Sequence, residues 1–248
     1  MTQKVVVATG WWSPETRSEW SIGDDRIRSP EFFALWHRQV IRYLAPDLIL
    51  VTDSRSPRKP DWTRFDRVRV IELDQNYGHG NDLRRQSAAV KFGGFTRSVL
   101  MGATYAFCCD ADYFVYVEQD CLIRGERFLE ACIASRRYPF YCGMPTVGGR
   151  GLGGRPAAPM LQQSVQIATR QGMARLIAKT ASARRGDGEV SPEIRMARDM
   201  KPYGLIGIPY GRSRPIDFAA PHYYAQHLEL DELRAFLDAE GLAYSDWF

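Results

Sequence analysis

The stretch Asp112-Tyr113-Phe114-Val115-Tyr116-Val117-Glu118-Gln119-Asp120-Cys121-Leu122-Ile123 decides how this chain is read. The aromatic and β-branched run Tyr113–Val117 marks a strand. No polar residue interrupts it, so both faces are expected to be covered, as in a parallel sheet flanked by helices. The strand runs straight into Glu118 and Asp120. In extended backbone, residues two apart point to the same side. Both carboxylates therefore converge on a position suited to one hard divalent cation, Mn2+ or Mg2+, which prefers oxygen ligands. Without a cation or a basic side chain, two acids at a buried strand end repel each other.

Working outward, residues 4–8 form an apolar run ending at Thr9-Gly10, and residues 48–52 form another ending at Asp53-Ser54. A third strand is expected over residues 68–73. Ser29-Pro30-Glu31 carries the start chemistry of a helix: a capping hydroxyl, proline at the first position and an acid near the positive end. Phe32, Leu35, Trp36, Val40 and Leu44 then recur at helical spacing, and Ala45-Pro46-Asp47 stops the run. Helical periodicity is also expected from Leu83 to about Cys108, weakened by Gly93, Gly94 and Gly102. A helix over residues 126–135 and a strand over 139–142 complete this half. The alternation predicts an α/β fold, a mostly parallel central sheet flanked by helices. In such sheets ligands bind beyond the carboxyl ends of the strands, where Thr9-Gly10, Asp53 and Glu118–Asp120 all lie.

The second half is less regular. Residues 147–159 are rich in Gly, Pro and Arg and read as a loop. A helix is expected over 163–181, a charged loop over 183–190, and a helix opened by Ser191-Pro192-Glu193. Strands are expected over 205–209 and 216–220, and an amphipathic helix over 230–240. No repeat or linker divides the chain, which predicts a single domain over residues 1–248, with halves at 1–143 and 144–248.

Composition excludes several classes. The 248 residues are 45% hydrophobic, 25% charged and 12% aromatic, ordinary for a globular protein. The formal charge is only +4, and the basic residues are scattered without a polybasic run. That argues against nucleic acid as a partner and suits an anionic small molecule, leaving peripheral contact with an acidic membrane surface open. The five cysteines are odd in number, and no CxxC pair is present. Reduced thiols in a cytoplasmic protein are the expectation. The amino terminus has no signal-peptide pattern, and the uncharged stretch 98–109 is too short to span a bilayer.

The order of elements and the Glu118-Gln119-Asp120 turn resemble the DxD region of nucleotide-sugar glycosyltransferases with the GT-A fold, a Rossmann-related architecture. Glu118 stands where Asp is usual. The resemblance covers residues 3–143 well and the rest loosely. It implies transfer of a sugar from a nucleoside diphosphate sugar to a glycan or other hydroxyl acceptor, assisted by Mn2+ or Mg2+ on Glu118 and Asp120. It implies that Asp53 binds the nucleoside, and that a histidine near the carboxyl end, His227 ahead of His222, completes the metal site. It also implies a carboxylate base near the start of a helix in the second half: Glu193, with Asp187 and Asp199 as competitors. Thr9 and Gly10 would let backbone approach the nucleotide, and Lys91 and Arg97 would face the diphosphate, ahead of Arg84 and Arg85.

Other motifs carry less. His79, in the loop 76–81, reads as a surface histidine. Trp11, Trp12 and Trp20 can stack on a base or simply fill the core. Gly149-Arg150-Gly151-Leu152-Gly153-Gly154 contains GxGxxG, but Pro156 and Pro159 follow where a helix should open, so it is not a dinucleotide fingerprint. A sugar-phosphate nucleotidyltransferase would need a Gly-rich basic signature after the first strand, where Trp11-Trp12-Ser13-Pro14 stands. A non-catalytic ligand-binding protein is the rival from another class.

Overall fold

The computed structural model describes residues 3–16, 22–77, 90–133, 137–146 and 160–248. Its strands are β1 (Val5–Trp11), β2 (Leu48–Asp53), β3 (Val68–Glu72), β4 (Tyr113–Val117), β5 (Cys121–Arg124), β6 (Phe140–Thr146), β7 (Met160–Thr169), β8 (Gly204–Leu205), β9 (Tyr210–Gly211) and β10 (Tyr223–Gln226). A seven-stranded sheet has the order β3-β2-β1-β4-β7-β6-β8, and a three-stranded sheet the order β5-β10-β9. The pairs β3–β2, β2–β1, β1–β4 and β6–β8 are parallel, while β7 runs antiparallel to both neighbours. The expected α/β class with a mostly parallel central sheet is present.

Adjacent residues of β1 show why its run is apolar throughout. Val5 and Val7 enter one hydrophobic cluster, whereas Val6 and Ala8 enter another on the opposite face. Helix α1 (Pro30–Leu44) covers the first face with Phe32, Phe33, Leu35, Trp36 and Val40. Its start is as expected: the Ser29 side chain accepts from the Phe32 N–H, and Pro30 fills the first position. Helix α2 (Gly94–Cys108) covers the other face with Val99, Ala103 and Ala106. Helices α3 (Phe128–Cys132), α4 (Arg170–Ala181), α5 (Pro192–Asp199) and α6 (Leu230–Ala239) follow. Among the described residues no helix is long and apolar enough to cross a membrane.

Several expected elements are corrected. Residues 163–169 are strand, not helix. Val165 and Ile167 alternate into the core, and β7 pairs along both edges, with β4 and β6. The good helix propensity of the intervening glutamines is overridden by that pairing. The helix expected from Leu83 begins at Gly94, with residues 78–89 outside the described set. Of the helix expected over 126–135, the described residues form α3, and 134–135 lie outside the described set. The strand over 205–209 contracts to β8, and 216–220 is a turn in which Asp217 accepts from the Ala219 N–H at 2.9 Å. The loop 147–159 with its GxGxxG, His79, Arg84, Arg85 and Trp20 lie outside the described residues.

Candidate active site at the junction of the two sheets

Glu118-Gln119-Asp120 is the link by which β4 of the large sheet hands the chain to β5 of the small one. Backbone contacts anchor the link from three sides. Glu118 N–H donates to the Ser164 carbonyl of β7 at 2.9 Å. The Trp36 indole of α1 donates to the Glu118 carbonyl at 3.1 Å. The Gln119 side chain grips Trp12 beyond β1, accepting from its N–H at 2.6 Å and donating to its carbonyl at 2.7 Å.

The small sheet then supplies the facing side chains. β10 is antiparallel to β5, with Gln226 opposite Cys121. That register sets His227 opposite Asp120, and His227 Nε2 lies 3.6 Å from Asp120 Oδ2. His222 sits at the other end of β10, roughly 17 Å away at about 3.4 Å per residue. Its ring contacts the Glu126 carbonyl at 2.8 Å. The expectation that His222 joins the acids is therefore corrected: histidines that flank the four-residue β10 on opposite ends cannot meet at one point.

The amide of Gln226 lies between the two carboxylates, donating to Asp120 Oδ1 at 2.8 Å and to Glu118 Oε2. Its carbonyl accepts from the Ser164 hydroxyl at 2.5 Å and from Arg212 Nε at 2.9 Å. Arg28 donates to Asp120 Oδ2 at 2.7 Å. Arg212 reaches to 4.0 Å from Glu118 Oε2. Sequence reasoning missed Gln226, Arg28 and Arg212. Only the adjacency of Gln226 to His227 hinted at any of them.

Electrostatics follow this packing. Burial, then the neighbouring Asp120, raises the pKa of Glu118 above the ordinary carboxylate range. Arg212 opposes the shift and the Glu193 carboxylate adds to it, so Glu193 lies within electrostatic reach of the acids. Burial pushes His227 down to about 4, Asp120 pulling against it. Its contact with Asp120 is thus between a neutral ring and a carboxylate at neutral pH, not an ion pair.

Among the described residues no three His, Cys, Asp or Glu side chains close around a single point. The chemistry of the donors nonetheless fits a hard divalent ion. Two carboxylates bring oxygen ligands, and a histidine kept neutral keeps a lone pair to donate.

The remaining candidates fall out differently. Asp53 is buried, its Oδ1 accepting from the Ser56 N–H at 2.9 Å and its Oδ2 2.9 Å from Lys59 Nζ. It organises the loop after β2. Thr9 is buried, and Gly10 donates to the Tyr116 hydroxyl at 3.3 Å. A Cβ on Gly10 would stand 2.8 Å from Ser98 Oγ, so close packing already calls for glycine there. Lys91 precedes α2 rather than lying on a helix, and its ammonium sits over the Phe92 ring. Arg97 donates to the Phe92 carbonyl at 3.0 Å and stacks on Tyr77. Neither contacts the acid pair. Of the rival bases, Asp187 is committed to Arg195 at 2.7 Å and to the Gly93 N–H at 2.6 Å, and Asp199 to Arg198 at 2.7 Å. Trp11 is core, edge-on to Phe33 and Trp62.

The chain superimposes over 99% of its length on 99% of the galactosyltransferase LgtC, solved with donor and acceptor sugar analogues, at a TM-score of 0.50 and 10% identity. It has a GT-A-like fold. The bifunctional IspDF from Campylobacter jejuni is similar at a TM-score of 0.51 and 11% identity, over 88% of this chain and 53% of that one, so the chain spans about half of that protein. No family model and no curated protein matches the chain. In this chain the acids follow β4 directly, at the carboxyl end of a central strand of the large sheet.

Proposed function

We propose that this protein is a transferase that moves a sugar from a nucleoside diphosphate sugar to an acceptor hydroxyl. One observation carries the reading: β4 delivers Glu118 and Asp120 to the sheet junction, and β10 delivers His227 opposite Asp120. Glu118, Asp120 and His227 would hold Mn2+ or Mg2+, which when bound neutralises charge on the departing diphosphate. The acceptor oxygen bonds to the anomeric carbon. The bond from that carbon to the diphosphate breaks, and the diphosphate leaves with the electron pair. Glu193, in the first turn of α5, takes the hydroxyl proton. Thr9, Gly10 and Asp53 border the nucleoside end, at the carboxyl ends of β1 and β2. An acidic membrane surface would be a peripheral partner only, and the acceptor is a glycan or another alcohol.

The test is a panel of nucleoside diphosphate sugars with simple glycans and Mn2+, followed by chromatography of the released nucleoside diphosphate. Asp120→Asn is expected to lower turnover by about a hundredfold or more, comparable to losing a group that stabilises developing charge. Unchanged turnover in that variant would refute the assignment. Nucleoside triphosphate plus sugar phosphate, in parallel, tests nucleotidyl transfer; formation of a nucleotide sugar would replace the present reading.

A further inference from the structure

Beside Arg28, the small sheet brings a second guanidinium, that of Arg212, to the acid pair. β9 runs parallel to β10 with Tyr210 opposite Tyr224 and Gly211 opposite Ala225, so the next residue, Arg212, comes level with Gln226. The backbone turns sharply to do this. Tyr210 has φ 93° and Gly211 φ 64°. A left-handed conformation at a tyrosine is strained, and such strain persists only where surrounding contacts enforce it. Gly211 also presses against the Gln162 side chain, leaving no room for a Cβ.

The strained turn presents a guanidinium held at one corner. Arg212 Nε donates to Gln226 Oε1 at 2.9 Å, and the same Gln226 amide bridges Glu118 and Asp120. The terminal nitrogens are not committed in the same way. The nearer reaches only to 4.0 Å from Glu118, beyond hydrogen-bond distance, and the side chain is 36% exposed. A planar fork fixed at Nε, open at its other end and accessible to water, is matched to an anion with two adjacent oxygens. Arg28 does not offer this: it is mostly buried, and its NH2 is 2.7 Å from Asp120.

We propose that Arg212 binds the diphosphate of the donor nucleotide, oriented for that task by Gln226. The assignment rests on the transferase reading above and adds a phosphate-recognition residue to it. Gln226 is then a positioning residue, acting through Arg212 and the acid pair.

Calorimetric titration of the purified full chain with Mn2+ and UDP, GDP, CDP, ADP or dTDP tests this, with the matching nucleosides and inorganic pyrophosphate as companion probes. Arg212→Ala is expected to weaken the preferred diphosphate and pyrophosphate at least about tenfold, while the matching nucleoside binds as before. Arg212→Lys, which keeps the charge and loses the fork, should fall between. If the alanine variant is unfolded by circular dichroism, Arg212→Gln, uncharged and close in length, carries the same expectation. Diphosphate affinity equal to the parent's in a folded, uncharged variant overturns the assignment, as does an equal loss for nucleoside. If the parent binds diphosphate but the Arg212 variants do too, only this inference fails. If the parent binds none of the probes, the transferase reading fails with it.

Discussion

His227 has been taken out of water and ringed with cations. Arg212, Arg28 and Arg214 all oppose its protonation, and Asp120 does not outweigh them and burial. The sign of its effect on stability follows. The folded value, about 4, lies below the ordinary 6.5. On acidification the unfolded chain takes up the proton first. The contribution of a neutral His227 is therefore present above about 6.5 and is lost as pH falls through about 4, by on the order of 3 kcal/mol at most. Glu118, with its raised value, contributes the opposite slope, stabilising at low pH and losing that as pH rises. A comparison that removes only the ring separates them. His227→Asn tolerates the left-handed backbone at this position, where φ is 60°. Metal-free urea unfolding from neutral pH toward about pH 4 should show a shallower acid loss in the variant than in the parent. Parallel curves would mean that the ring is charged in the folded state.

At the scale of elements, Gly102 shows two rules in conflict. In a helix interior, alanine is favoured over glycine by about 1 kcal/mol. On α2, though, a Cβ at Gly102 would lie 2.5 Å from Ala8 Cβ and 2.8 Å from Phe114 Cε2. Both neighbours belong to central strands fixed by ladders on each side, so they yield little. Overpacking of this kind costs about 1–3 kcal/mol and should win. Gly102→Ala is expected to lower the urea midpoint, and a higher midpoint would show that helix and sheet have slack between them. The same contest between local preference and packing explains why residues 163–169 are strand where their composition predicts helix, while β4 is legible as a strand. In β4 every residue favours a strand. In β7 the run Gln162-Gln163-Ser164 does not; Gln162 lies opposite Gly143 of β6, and the Ser164 carbonyl accepts from the Glu118 N–H just beyond β4.

Over the whole molecule, Glu240 ties the end of the chain to its beginning. Its side chain is 1% exposed, yet it accepts from the Tyr43 hydroxyl at 2.8 Å and approaches Arg124 at 3.1 Å, Arg42 at 3.2 Å and Arg38 at 3.7 Å. These partners come from α1 and β5, so one carboxylate joins the end of α6 to α1 and to the small sheet. Breaking a fully buried pair costs about 3–5 kcal/mol. The arginines here keep some water, and a discounted loss of about 2–3 kcal/mol is expected for Glu240→Ala in urea denaturation. Glu240→Gln keeps an acceptor for Tyr43 and should lose less. A neutral result for both would mean that water already screens the cluster.

Read alone, the amino acids determined whatever depends on near neighbours along the chain. The apolar run of β4 ends in two acids one residue apart, and Ser29-Pro30 starts α1; each is legible because cap, strand propensity and side-chain alternation are local effects. The register that selects His227 over His222 is not local, since it needs β10 laid antiparallel on β5. Nor is the gathering of Arg28, Arg212 and Gln226 around the acids, which come from opposite ends of the chain. Only tertiary packing decided those partners, because burial and charge act through space, and no spacing in the sequence encodes which distant segments will meet.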